Sequence, residues 1–189
     1  MIEITILGRG GKGARLASEI LAEALRKDLG EKGYHIHCFP DFGIERKGLP
    51  VKSFIRLDSK PIRLKCQIKQ ADYFIVLGEE LLKIENLKDD LKPSGYLIVN
   101  SRKTSQDLSP LYSDYRVVAF NASAIAKKHN LSILNAVMLG AFAKMTGLIG
   151  FGVLAEVLEE KIPTYKKENI EAAKEAYELV QPLREAQDD

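Results

Sequence analysis

The sequence Ile2-Glu3-Ile4-Thr5-Ile6-Leu7-Gly8-Arg9-Gly10-Gly11-Lys12-Gly13 joins a short apolar run to a glycine-rich turn that carries two basic residues. Apolar residues then recur at helical spacing, at Ala17, Ile20, Leu21, Ala24 and Leu25. This order predicts a strand, a glycine loop and a helix, which together make a Rossmann-like first unit. Arg26 and Lys27 suit the negative end of that helix, and Gly30 or Gly33 can supply the left-handed residue that ends it.

The rest of the chain predicts further strands and then helices. Alternating runs at residues 51–57 and 62–66, joined by the turn Asp58-Ser59-Lys60-Pro61, predict a β-hairpin and hence a mixed sheet. Runs at 34–39, 73–77, 96–99 and 116–120 predict more strands, the last three near the middle of the sheet. Helices are expected near 79–91 and at 123–129, 134–145, 152–160 and 164–180, with a loop at 104–114. We expect a three-layer α/β/α sandwich with a mixed sheet and a helical C-terminal third.

Composition limits the class of protein. The 189 residues suit a single domain, expected over residues 1–185, with a frayed tail at 186–189. Lys and Arg number 28 against 26 Asp and Glu, and a net charge of +2 argues against a polybasic nucleic-acid binder. The start lacks a signal-peptide pattern, and the longest apolar stretch, 136–143, is too short to cross a bilayer, so we expect a cytoplasmic chain without a membrane partner.

The two cysteines, Cys38 and Cys66, are too few for the four thiolates of an iron–sulfur cluster or a structural zinc site. We expect both to be reduced and buried. His35 and His37 share one face of a strand, but no third ligand lies at a fixed spacing, so they indicate ordinary sheet histidines and no metal site. Gly140 lies inside a predicted helix, which indicates close approach either by the core or by another chain.

Two loops carry the candidate chemistry. Glycines in the pattern Gly8-x-Gly10-x-x-Gly13, between a strand and a helix, let backbone N–H groups approach a phosphate; the alternative is a tight turn without a ligand. Residues 40–50 form a second loop, rich in glycine, proline and charge, which we expect beside the first at the carboxyl end of the sheet. A solvated turn with a local ion pair explains that composition as well. Asp41 lies 28 positions after Gly13, further than the ribose-binding acid of dinucleotide-binding folds, so dinucleotide binding is only weakly supported.

Together these segments resemble the gamma subunit, called domain III in fused enzymes, of 2-oxoacid:ferredoxin oxidoreductases such as pyruvate synthase. The strongest parts are residues 8–13 and 39–48, supported by Arg56, Asp72, Asn100 and residues 135–141. The chain departs from the family pattern at Lys12, Ile44 and Leu49, where the family usually has Gln, Pro and Ala. The sequence Glu45-Arg46-Lys47-Gly48 looks like the pyruvate branch.

The resemblance implies an enzyme that decarboxylates a 2-oxoacid with thiamine diphosphate and Mg, passes electrons through iron–sulfur clusters to ferredoxin, and gives the acyl group to coenzyme A. This chain has no Gly-Asp-Gly motif of a thiamine diphosphate site. The implied partners are alpha and beta subunits, which hold thiamine diphosphate, and a ferredoxin-like delta subunit. No catalytic residue is expected on this chain, and no cofactor is expected to bind it alone.

The resemblance also assigns roles to the loops. The first would bind a coenzyme A phosphate or an acidic edge of a partner, through Gly8, Arg9, Gly10, Gly11, Lys12 and Gly13. The second would close against the active-site subunit, through Pro40, Asp41, Phe42, Gly43, Glu45, Arg46 and Gly48. Asn100 and Asn135 would support the site. Alternatives are a subunit of a 2-oxoglutarate, branched-chain or indolepyruvate oxidoreductase, a stand-alone NAD-binding oxidoreductase, and a scaffold without a ligand.

Overall fold

The computed structural model describes residues 1–11, 13–41, 48–83 and 87–183. Within these residues one six-stranded sheet is formed by β1 (Ile2–Arg9), β2 (His35–Pro40), β3 (Pro50–Asp58), β4 (Ala71–Val76), β5 (Leu91–Asn100) and β6 (Arg116–Phe120). The same residues include helices α1 (Ala14–Leu29), α2 (Leu87–Asp90), α3 (Ser105–Leu108), α4 (Ala122–Lys128), α5 (Asn135–Thr146), α6 (Phe151–Lys161) and α7 (Lys166–Leu179). The predicted α/β fold with a helical C-terminal third is confirmed.

The strands lie in the order β2-β3-β1-β4-β5-β6. β1, β4, β5 and β6 run parallel to their neighbours in that series, whereas β3 is antiparallel to both β1 and β2. The sheet is therefore mixed, as expected, but its antiparallel member is β3 between β2 and β1.

The predicted hairpin of 51–57 with 62–66 is wrong. Residues 62–66 form no strand, and they have no edge of β3 to pair with, because β1 and β2 occupy both of its sides. The Arg56 guanidinium instead donates hydrogen bonds to the carbonyl oxygens of Leu64, Cys66 and Gln67 in this region. The prediction that both cysteines are buried is also wrong. Cys66 is exposed in this segment, and Cys38 on β2 is half-buried, where burial raises the pKa of its thiol.

The strand at 116–120 is β6, which lies at an edge of the sheet and not near its middle. Only β5 pairs with it, so its residues are half-buried, with Arg116 exposed. The loop expected at 104–114 includes α3, whose first turn is capped by Thr104 and Asp107 in a reciprocal capping box. In the region 79–91 the structure describes a 3-10 turn at Glu79–Lys83 and the single turn α2.

The two faces of the sheet are covered unequally. Because side chains alternate along a strand, Ile4 and Ile6 of β1 pack toward one face and Leu7 toward the other. The first face packs against α1, α4, α5, α6 and α7. The opposite face packs against the 3-10 turn at Glu79–Lys83 and α2, through Leu81, Leu82 and Leu87. The outer layers are thus a thick helical layer and a thin layer of short segments.

Helix α1 confirms the predicted spacing, since all five apolar residues named above are buried. Gly33, with φ of 84°, supplies the left-handed residue after the helix, whereas Gly30 remains right-handed and begins a 3-10 turn. Lys27 in the last turn donates to Glu156 and Glu160 of α6 and holds the two helices together.

Helix α5 crosses the middle of the helical layer. It is apolar around its whole circumference, with ten of its twelve residues buried, as expected of a helix surrounded by core. Gly140 allows α7 to approach: a Cβ there would collide with the carbonyl group of Ala173. The close neighbour expected at Gly140 is therefore this chain's own α7. No described helix is long and apolar enough to span a membrane.

Candidate functional site

The parallel strands β1, β4, β5 and β6 end at one edge of the sheet, and the antiparallel β3 begins there. The segments that leave this edge include the glycine loop after β1, Gly78 after β4, Ser101 after β5 and Asn121 after β6. The carboxyl ends of parallel strands are where open α/β sheets bind ligands. We call this region the carboxyl edge.

The glycine loop lies between a strand, β1, and a helix, α1, as predicted. Gly11 and Gly13 have φ values of 79° and 90°, in the left-handed region that favours glycine. Gly13 is the N-cap of α1, and α1 has neither a side-chain cap nor an acidic residue in its first turn. Its first N–H groups therefore keep the positive potential that favours an anion. Lys12 lies outside the described residues.

Arg9, the last residue of β1, connects the glycine loop to the segment after β4 and to the second loop. Its Nε donates to Oε1 of Glu80 at 3.0 Å, and its Nη1 donates to the carbonyl oxygen of Gly48 at 3.2 Å. The side chain is still partly exposed and lines two adjoining cavities, of about 410 and 270 Å³. An anion at this loop would therefore share the guanidinium with Glu80.

The two candidate loops meet, as the sequence predicted. Gly10 N–H donates to the carbonyl oxygen of Leu49 at 2.8 Å, and Gly48 N–H donates to the carbonyl oxygen of Gly10 at 3.2 Å. Pro40 ends β2, and the next residue, Asp41, accepts a hydrogen bond from Gln67. Phe42, Gly43, Glu45 and Arg46 lie outside the described residues.

Asn135, the first residue of α5, is hydrogen-bonded to the glycine loop. Its Nδ2 donates to the carbonyl oxygen of Gly13 at 2.9 Å, and the side chain is almost fully buried. Its Oδ1 has no hydrogen-bond partner among the described residues. Any Cβ at Gly13 would collide with this carboxamide, so Asn135 requires glycine at that position as much as the backbone conformation does.

Asn100 joins the ends of two strands to the start of α4. Its Nδ2 donates to the carbonyl oxygen of Leu77 at 3.0 Å and to Oγ of Ser123 at 2.9 Å. Its Oδ1 accepts from the backbone N–H of Ser123 at 3.1 Å. The two supporting asparagines thus fix the backbone on either side of the carboxyl edge.

The sequence reasoning missed the acidic residues after β4. Glu79 binds Lys103 at 2.7 Å and accepts from Oγ of Ser101 at 2.7 Å, and these two contacts, led by Lys103, lower the pKa of its carboxyl group. Glu79 and Glu80 line a polar cavity of about 360 Å³ with Asn100. Gly78-Glu79-Glu80 directly after an apolar run was the available signal, because that position is the carboxyl end of a strand.

Within the described part of the chain, no cluster of three or more His, Cys, Asp or Glu residues could hold a metal ion. His35 is exposed, and His37 packs its ring against Phe39 with centroids 4.9 Å apart. Both histidines belong to β2. With two cysteines in the whole sequence, the donor set does not fit an iron–sulfur cluster.

The fold and the carboxyl edge define the class: an α/β domain whose glycine loop, between a strand and a helix, is hydrogen-bonded to a second loop. Comparison with known proteins gives the family. The model described as pyruvate ferredoxin/flavodoxin oxidoreductase matches residues 3–179. The chain belongs to this family.

Named relatives match it along almost their full length. Pyruvate synthase subunit PorC of Methanothermobacter thermautotrophicus is 39% identical over 97% of this chain and 98% of its own. The pyruvate/ketoisovalerate oxidoreductases common subunit gamma of Pyrococcus furiosus is 40% identical over 94% of this chain and 96% of its own.

Solved structures agree with the fold. The crystal structure of pyruvate oxidoreductase subunit PORC from Thermotoga maritima superposes with a TM-score of 0.75 at 28% identity, covering 94% of this chain and 95% of that one. A 2-oxoglutarate:ferredoxin oxidoreductase from Magnetococcus marinus gives a TM-score of 0.74 at 22% identity, covering 98% of this chain but 33% of that one. The same fold therefore occurs within a longer polypeptide.

Proposed function

We propose that this chain is the gamma subunit of a multi-subunit pyruvate:ferredoxin oxidoreductase, which performs the coenzyme A-dependent oxidative decarboxylation of pyruvate or the reverse carboxylation. The observation that carries the proposal is near full-length similarity, at 39 and 40% identity, to a pyruvate synthase subunit and to a gamma subunit shared by two oxidoreductases. The charged sequence Glu45-Arg46-Lys47-Gly48 favours the pyruvate branch over the 2-oxoglutarate branch.

The chain needs partners for this reaction. Thiamine diphosphate with Mg supplies the decarboxylation chemistry, and iron–sulfur clusters carry the electrons to ferredoxin. The chain has neither a Gly-Asp-Gly motif nor enough cysteines, so these groups belong to alpha and beta subunits and to a ferredoxin-like delta subunit. The Pyrococcus relative is a gamma subunit common to pyruvate and ketoisovalerate oxidoreductases. Sharing of one gamma subunit by two enzymes supports the inference that the other subunits select the substrate.

This chain's own share is anion binding and assembly at the carboxyl edge. The first N–H groups of α1, together with Arg9 and Lys12, bind a phosphate of coenzyme A. Asn135 holds Gly13 in the conformation that directs those groups outward. The second loop is hydrogen-bonded to the first through Gly10, Gly48 and Leu49, so a partner that contacts one loop also constrains the other.

The double change Arg9→Ala with Lys12→Ala tests the phosphate role. Charge-assisted hydrogen bonds contribute about 1.5–3 kcal/mol each, so losing both cations should weaken coenzyme A binding at least about tenfold. Isothermal titration of the assembled enzyme measures this affinity. Lys60→Ala with Arg63→Ala, which removes the same charge from an exposed segment, serves as the control. Unchanged affinity in the Arg9 and Lys12 variant rules the phosphate role out.

Charge reversal at Glu45 or Arg46 tests the assembly role of the second loop. Like charges placed across a subunit interface repel, so Glu45→Lys or Arg46→Glu should release the chain from its partners at lower salt than the wild type. Native mass spectrometry across a salt series reports the fraction of intact complex. Lys65→Glu, on an exposed segment, is the matched control. Full complexes from both loop variants at every salt concentration would contradict this role.

Purification of the tagged chain from its source organism, under anaerobic and gentle conditions, tests the function as a whole. Mass spectrometry should identify a thiamine diphosphate subunit and a cysteine-rich ferredoxin-like subunit with it. The purified complex should reduce ferredoxin with pyruvate and coenzyme A faster than with 2-oxoglutarate. Recovery of the chain alone, with saturable NAD binding by calorimetry, would replace this proposal with a stand-alone oxidoreductase.

A further inference from the structure

A cavity of about 690 Å³ lies at the amino ends of β4, β5 and β6. This is the edge of the sheet opposite the glycine loop, since the four parallel strands all end at the carboxyl edge. Its walls come from three strands, from the C-terminal end of α5 and from α7, and they include Tyr73, Tyr96, Arg116, Lys144, Tyr177 and Leu183. We call it the tyrosine groove.

The aromatic rings of the groove are held in place by one another. Tyr73 and Tyr96 stack with centroids 5.6 Å apart, and Tyr73 meets the buried Phe142 edge-on at 5.5 Å. Tyr177 packs against Phe151 at 5.1 Å. A surface built of mutually packed rings loses little conformational entropy when a partner binds.

Two cations lie on these rings and not on carboxylates. Arg116 donates to the Tyr96 hydroxyl at 2.9 Å, and its guanidinium carbon lies 5.3 Å from the centroid of that ring. The Lys144 ammonium lies 5.1 Å from the centroid of Tyr177. Neither forms an ion pair with a described residue, whereas Lys27 and Lys92 both bind carboxylates. The groove therefore presents positive charge without a described anionic partner.

Three carbonyl oxygens at the end of α5 already have donors. The carbonyl oxygens of Phe142, Ala143 and Met145 accept from Thr146, Gly147 and Leu183 respectively. Arg116 and Lys144 have no carboxylate partner among the described residues, so a ligand that complements their charge brings anionic acceptors.

We propose that the tyrosine groove binds an acidic segment of a partner chain, an inference that rests on the proposed function because that function requires partner subunits. Tyrosine and arginine are enriched at the energetic centres of protein interfaces, and arginine pairs with carboxylates. The groove is open, with exposed Arg116, Gly147 and Pro182 along it, whereas a small molecule is usually enclosed over most of its surface. Side chains of a docked segment suit this shape. Its position lets a partner bind here without covering the carboxyl edge.

Zero-length cross-linking of the purified complex tests the proposal. A carbodiimide joins an amine to a carboxylate only when the two are in contact. The expected product links Lys144 to an Asp or Glu of another subunit, identified by peptide mass spectrometry. A link from Lys144 to Glu185, Asp188 or Asp189 of the same chain would overturn the proposal, and so would the absence of any Lys144 link.

Charge reversal gives a second, independent readout. Arg116→Glu with Lys144→Glu should weaken association with the partner at least about tenfold and reduce its dependence on salt. Arg63→Glu with Lys65→Glu makes the same change of charge on another exposed surface and should leave association unaltered. Equal association of both variants, at equal thermal stability, would overturn the proposal. The proposed function is tested separately, by the identity of the copurifying subunits. The cross-linking and association results do not depend on which subunit supplies the carboxylate.

Discussion

Replacing Gly140 by alanine is expected to lower the free energy of unfolding by roughly 3 kcal/mol or more, at the upper end of what overpacking costs. The added Cβ would lie 2.8 Å from the Cα of Ala173 and closer still to its carbonyl group. A flexible side chain could rotate away from such a contact, but this neighbour is backbone in the middle of α7. Relief therefore requires α5 and α7 to separate.

The cost is large because the contact is central to the core. Both helices are buried at this point, with Ala172, Ala173 and Ala176 of α7 fully enclosed. Separating the helices would open space along several apolar side chains, and each buried methylene that loses its contacts costs about 1 kcal/mol.

Gly152→Ala is the matched control. Gly152 lies in the first turn of α6, and a Cβ there meets nothing within 4 Å. Alanine is favoured over glycine in a helix, so this variant should be about 0.5–1 kcal/mol more stable than the wild type. Urea unfolding followed by circular dichroism measures both changes. Wild-type stability in Gly140→Ala would show that the helices can move apart freely, contrary to the packing described.

Arg56→Met is expected to cost about 3–5 kcal/mol, the usual loss when one partner of a buried ion pair is removed. Arg56 is 1% exposed, and its Nε donates to Oε1 of Glu3 at 2.9 Å. Methionine fills similar volume but leaves the Glu3 carboxylate, itself mostly buried, without its cation. The segment at residues 64–67 also loses the donor that binds its carbonyl groups.

A second substitution separates these two effects. Adding Glu3→Gln to Arg56→Met removes the uncompensated charge but does not restore donors to residues 64–67, so about half of the stability should return. The exposed Arg63→Met should change stability by less than about 0.5 kcal/mol. All variants are compared by urea unfolding at one pH. A double variant no more stable than Arg56→Met would place the whole cost in the lost carbonyl contacts.

The sequence predicted those parts of the fold that are specified by local patterns. The glycine loop of residues 8–13 and helices α1, α5, α6 and α7 follow from periodicity and turn residues within short windows. Residues 62–66 show the limit of this reasoning. They alternate like a strand, but both sides of β3 are occupied by β1 and β2, and that strand order is a property of the whole sheet.

Of the candidate site, the meeting of the two loops was predictable from their positions after β1 and β2. The contacts that fix them were not. Arg9 meets Glu80 across 71 positions, and Asn135 meets Gly13 across 122. The first pair depends on β4 lying beside β1, and the second on the start of α5 lying beside the start of α1, neither of which a local pattern specifies. The prediction that Cys66 is buried failed for a related reason: it assumed a strand at residues 62–66, and without that strand Cys66 is exposed.

The unequal covering of the sheet has a consequence for motion. Long helices bury many side chains at once, so the helical face opens only with a large part of the molecule. The thin layer rests on three leucines of the 3-10 turn and α2, and a unit this small can open locally at far lower cost. Glu79 and Glu80 belong to that layer. We therefore expect the acidic side of the carboxyl edge to rearrange around an incoming partner or anion at lower cost than the helical layer behind it.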